Sequence, residues 1–106
     1  MSERVNAVKA EMKRVGLERV SHGKWGDGSF VTGWCGEEAL VSCKVFPLSE
    51  VWRVDVRQDE GLLASSLDSP DLAGAVSELR NLAGAYRRAA GNMERAIALI
   101  EAKGGE

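Results

Sequence analysis

The sequence predicts a small α+β domain in the order α-β-β-β-β-α: a four-stranded antiparallel meander, helices packed on one face, and a long C-terminal helix. Three observations lead there. Apolar residues recur at helical spacing over the first sixteen positions. The helical period disappears between residues 17 and 57, where Val, Thr, Trp and Phe gather between turn sequences. From residue 70 the helical period returns and persists for four heptads. At 106 residues the chain is expected to be one domain, 1–106.

The first helix covers 1–16. Val5, Val8, Met12 and Val15 lie three, four and three positions apart and share a face. Ser2 stands at the N-cap, and Gly16 follows the last turn, so Leu17 can touch Met12 in a Schellman ending.

Four strands are expected near 17–25, 29–35, 39–46 and 51–57, separated by "GDG", "GEE" and "PLSE". Asp27-Gly28 suits a two-residue type I′ turn. That turn sets Trp25 opposite Phe30, Gly23 opposite Thr32 and Ser21 opposite Trp34. A turn at Glu37-Glu38 sets Trp34 opposite Val41, Thr32 opposite Cys43 and Phe30 opposite Val45. Together they place Trp25, Phe30, Trp34, Val41, Cys43 and Val45 on one face, because side chains alternate along a strand. Trp52, Val54 and Val56 alternate with Arg53, Asp55 and Arg57 on the fourth strand. The other face receives His22, Lys24, Val31, Cys35, Leu40, Ser42 and Lys44. Cys35 and Cys43 then point to opposite faces, and no disulfide is expected between them.

Residues 58–69 read as a connector, and Ser69-Pro70 as the start of a second helix, with Ser at the N-cap and Pro at the first helical position. Over 70–103, Leu72, Val76, Leu79, Ala83, Tyr86, Ala90, Met93, Ile97 and Ile100 form a heptad stripe, widened by Leu82, Ala89 and Ala96. One continuous helix here would reach about 50 Å at 1.5 Å per residue. A four-stranded sheet is only about 15–20 Å across. The apolar stripe therefore overhangs the sheet, and either a second subunit covers it or the helix breaks at Gly91-Asn92 and folds back.

The motifs exclude more chemistry than they suggest. "HGKWGDGSFVTGWCG", residues 22–36, is rich in glycine, but it lacks the Lys-Ser/Thr of a phosphate loop and leads into a strand. His22 is the only histidine, and no nucleophile or orienting group accompanies it. Asp55, Asp59 and Glu60 cluster without calcium-loop spacing and read as an acidic edge. No catalytic residue, cofactor or metal site is expected.

The net charge is -2, and the aromatic-rich segment 17–60 carries five basic against eight acidic residues, about -3. That counts against an aromatic platform for nucleic acid. No apolar run spans a membrane, the first residues lack the apolar core of a secretory signal, and two cysteines suit a reducing compartment. The chain reads as cytoplasmic.

The expected function is a non-enzymatic protein-interaction module, the profile of small accessory, inhibitor, immunity or chaperone-like adaptor proteins, phage-encoded ones among them. Its partner is another protein, with a homodimer forming through the C-terminal helix. The candidate partner-binding residues are Arg80, Arg87, Arg88 and Arg95 on the polar flank, Met93, Ile97 and Ile100 on the stripe, and His22 and Lys24 on the outer sheet face. The alternative is a single-stranded nucleic-acid-binding protein using the sheet face and the helix arginines. It requires Trp25, Phe30, Trp34 or Trp52 to be exposed.

Overall fold

A computed structural model describes residues 3–59 and 61–104. The order is α1 (Glu3–Arg14), β1 (Glu18–Trp25), β2 (Gly28–Cys35), β3 (Ala39–Val45), β4 (Glu50–Gln58), β5 (Gly61–Ser65) and α2 (Leu72–Gly104). The strands form one antiparallel sheet in sequence order. The α+β class holds, with five strands in place of four. Ser2 and Glu60, named above as N-cap and edge acid, lie outside the described residues.

α1 ends as its sequence dictates. Gly16 takes φ 89°, the Leu17 N–H donates to the Met12 carbonyl at 3.0 Å, and the Gly16 N–H donates to that of Lys13 at 3.0 Å. This is the Schellman arrangement. It turns Leu17 back toward Met12. α1 then lies across β1, β2 and β3, burying Val5, Val8 and Met12, while α2 covers β4 and β5 with Ala75 buried and Leu72 and Leu79 partly so.

The fifth strand comes from the segment expected as a connector. Asp59 adopts φ 55°, which reverses the chain, and Leu62, Ala64 and Ser65 pair with Arg57, Val56 and Asp55. Pairing continues beyond the strand. Ser66 Oγ accepts the Val54 N–H at 2.9 Å, and Ser69 exchanges two backbone hydrogen bonds with Trp52 at 2.7 and 3.0 Å. Ser69 is thus held by the sheet and does not cap α2. Asp71 takes that role: its Oδ1 accepts the Gly74 N–H at 2.7 Å. Asp71→Ala should therefore cost about 1 kcal/mol in urea denaturation, and Ser69→Ala should leave the α2 N-terminus capped.

Two turns differ from expectation, and the second one decides the faces. In the first hairpin Trp25 pairs with Gly28 and Gly23 with Phe30, so the turn is Gly26-Asp27. Only Gly26 has positive φ there, 56°, as a type II′ turn requires at its first central position. Gly28 belongs to the strand, where an added Cβ would meet the Val45 carbonyl oxygen at 2.5 Å. This two-residue shift preserves the faces.

The second hairpin uses three residues, Gly36-Glu37-Glu38, with Gly36 at φ 61°. Val31 pairs with Cys43, Gly33 with Val41 and Cys35 with Ala39. The register is one residue from the expected one, so the faces exchange. Val31, Val41, Cys43, Val45, Trp52 and Val54 form the buried inner face beneath the helices. Trp25, Phe30 and Trp34 go to the outer face with Leu40, Ser42 and Lys44. Cys35 and Cys43 share a face, contrary to expectation. Both are free: Cys35 is exposed and Cys43 buried.

α2 is one uninterrupted helix of 33 residues, with no break at Gly91-Asn92. It gives the molecule extents of 69 × 25 × 23 Å.

Candidate functional site

The expected partner-binding residues divide between two places. Arg80, Arg87, Arg88, Met93, Arg95, Ile97 and Ile100 all lie exposed on α2. His22 and Lys24 do not lie on the outer sheet face. They stand on the helix side of β1, where Lys9 of α1 reaches the His22 Nδ1 at 3.0 Å. The cause is the register: His22 pairs with Val31, an inner-face residue.

The last tie between α2 and the sheet is Tyr86, whose hydroxyl donates to the Leu63 carbonyl at 3.2 Å. Beyond it, residues 87–104 continue for about 27 Å at 1.5 Å per residue with no element among the described residues beside them. Met93 is 60% exposed, Ile97 52% and Ile100 69%. At the foot of this arm Val56, Leu63, Ala64, Leu79, Leu82, Ala83 and Tyr86 line an apolar recess of about 210 Å³. Arg87, Arg88 and Arg95 border a groove on the polar side with Gly84, Gly91 and Asn92. Arg95 Nη2 donates to the Asn92 Oδ1 one turn back. The Arg88 and Arg95 guanidinium groups lie over Gly84 and Gly91, 3.5 and 3.6 Å from where a Cβ would stand.

The outer sheet face is the surface that sequence reasoning missed. Trp25 is 49% exposed and its ring centroid lies 5.9 Å from that of Phe30. The Lys44 ammonium sits 4.8 Å from the centroid of the Trp25 ring. Nearer the other end, the Arg19 guanidinium lies 5.0 Å from the centroid of Trp34 and donates to the Gly36 carbonyl at 2.8 Å. Such cation–aromatic contacts contribute about 0.5–1 kcal/mol each at exposed sites. Arg19 reaches this position because β1 bulges between Glu18 and Ser21, with Arg19 itself at φ 53°. A depression of about 230 Å³ opens beside Trp25 and Phe30, lined also by Ser42, Lys44, Val51, Arg53, Asp55 and Asp68. Arg53 is paired with Asp68 at 2.9 Å, and Asp55 accepts the Ser65 hydroxyl. The signal that could have found this face was Gly36: a glycine before "EE" permits a three-residue turn as readily as a two-residue one.

Among the described residues, no group of three or more His, Cys, Asp or Glu side chains stands where it could hold a metal ion. No helix among them is long and apolar enough to cross a membrane. Burial pushes the Cys43 thiol up to about 12, and the nearby Glu50 carboxylate adds to the rise. A thiol held neutral is a poor nucleophile. One thiol per chain, Cys35, should therefore react with Ellman's reagent in the native protein, and a second only in denaturant. Two fast thiols would contradict the burial of Cys43.

Compared with family models, with curated proteins and with solved structures, the chain gives no match to any of the three.

Proposed function

We propose that this chain is a non-enzymatic protein-interaction module of the cytoplasm, an accessory, inhibitor or adaptor protein that works as a homodimer through α2. The observation that carries this reading is the apolar stripe of α2. Met93, Ile97 and Ile100 continue the heptad pattern past Tyr86, where no strand among the described residues covers them. Apolar surface of this extent marks an association site, and pairing between two copies is the commonest closed solution. The two free thiols suit a reducing compartment. Light scattering at micromolar concentration tests the dimer. A mass near 23 kDa, twice the 11.4 kDa of one chain, is expected, and Ile97→Asp should return it to one chain. A wild-type mass of a single chain would remove the reading.

A second reading is favoured by one specific observation. Trp25, Phe30 and Trp34 lie on an open sheet face beside Lys44 and Arg19, the combination on which single-stranded nucleic acids stack. Labelled oligonucleotide at low salt should then bind, weaken as salt rises and lose affinity in Trp25→Ala. No binding at low salt sinks it. The net charge of -2 is what ranks it second.

A further inference from the structure

We infer that a second copy of this chain docks on α2 antiparallel and in one register, with Arg80 facing Glu101 and Arg87 facing Glu94 of the other copy. This rests on the reading of α2 as the dimer surface and adds its orientation and alignment.

In heptad terms Val76, Ala83, Ala90 and Ile97 occupy the a positions, and Leu79, Tyr86, Met93 and Ile100 the d positions. The residue after each d, the e position, is Arg80, Arg87, Glu94 and Glu101 in turn. Charge is thus segregated along one flank: basic in the proximal half, acidic in the distal half. In a parallel pair, e residues face g residues. Those are Leu82, Ala89 and Ala96 along this stretch, so a parallel pair forms no ion pair there. In an antiparallel pair e faces e. Proximal arginines then meet distal glutamates, and orientation is set by charge.

The same residues choose the register. With Arg87 against Glu94, two-fold symmetry gives four ion pairs and no like-charge contact. Sliding one heptad in one direction brings Arg87 against Arg87. Sliding in the other brings Glu94 against Glu94. The apolar layers agree with the first alignment: Ala83 meets Ile100, Ala90 meets Met93 and Tyr86 meets Ile97. In the first two of these layers a small side chain faces a large one, which suits interdigitating packing. The two-fold axis crosses α2 at Gly91-Asn92.

The apolar recess supplies an independent observation. It is lined by Ala83 and Tyr86 together with Leu63 and Val56. Those are the layers where Ile100 and Ile97 of the other copy arrive in this register. The arm of each copy thus ends on an apolar surface of the other.

Two measurements on the full-length chain test this. The first is a charge swap read by light scattering and dilution at tens of micromolar. Arg87→Glu and Glu94→Arg should each weaken dimerisation by at least about ten-fold, and the double variant should regain the wild-type constant. Neither side chain has a charged neighbour three or four residues away on its own helix. Restoration therefore reports pairing between copies. The second measurement places Ala83→Cys in one population and Ile100→Cys in another, both with Cys35→Ser. Mixed and oxidised, each should cross-link to the other and not to itself. Self-cross-links, or a dimeric double variant as weak as the singles, overturn the register while leaving the dimer standing. A monomeric wild type overturns both.

Discussion

Trp52→Ala is expected to cost about 4 kcal/mol, whereas Trp25→Ala costs under about 1. Both are tryptophans in strands of one sheet, and only the faces separate them. Trp52 is 4% exposed, pairs with Cys43 on the inner face, and its backbone holds Ser69. Truncation leaves a cavity between sheet and helices that the surroundings fill only in part. Trp25 is half exposed and rests on Phe30 and Lys44. A chain of this length has about 5–15 kcal/mol of stability to lose, so Trp52→Ala removes a large part of it. Urea midpoints for both variants decide the matter. Equal losses would return all the tryptophans to one buried face and overturn the observed register.

The second large effect is Met12→Ala, expected to cost about 3 kcal/mol. Met12 is fully buried and joins α1 to the sheet. Its Sδ stands 3.2 Å from where a Cβ on Gly33 would be, and the Leu17 Cβ stands 3.1 Å from the same point. The helix approaches the strand so closely because Gly33 has no side chain. Gly33→Ala should destabilise the wild type by crowding Met12 and Leu17, and should cost measurably less in the Met12→Ala background, where the sulfur is gone. A double-mutant cycle reads that coupling directly. Strict additivity would mean that the two residues do not share this space.

Much of the architecture was legible in the sequence because periodicity is a summed signal. The 3-4-3 spacing of Val5, Val8, Met12 and Val15 and the long stripe of α2 each rest on many residues, and no local choice undoes them. The alternation of Trp52, Val54 and Val56 held for the same reason. What was not legible hung on single residues. Whether Gly36 or Glu37 opens a turn differs by one position, yet it moves three aromatics from core to surface. Both registers satisfied the alternation test: Trp25, Phe30 and Trp34 alternate as regularly as Val31 and Gly33 do. Large aromatics were a misleading guide to the inner face, which is built mainly of valines. β5 escaped notice because "GLLAS" has neither β-branched residues nor a turn dipeptide before it. Its turn is made by Asp59 in the left-handed region, a conformation few non-glycine residues adopt. Of the candidate partner-binding residues, those on α2 lie exposed along the helix, while the outer-face aromatics had been expected in the core.

The uninterrupted length of α2 also sets a spacing. In the proposed dimer α2 lies on its own sheet from Leu72 to Tyr86, a stretch centred about 13 residues from the two-fold axis. At 1.5 Å per residue the two sheets are centred about 40 Å apart along the helices. Helix and sheet meet at the Ser69 bridge and buried Ala75, beside the Asp71 cap, so the arm is anchored at its root. The dimer is then a ruler with one sheet at each end. Anything the outer faces recognise would be engaged twice only if it offers sites at that separation, and a ligand that does so would gain avidity without any new contact.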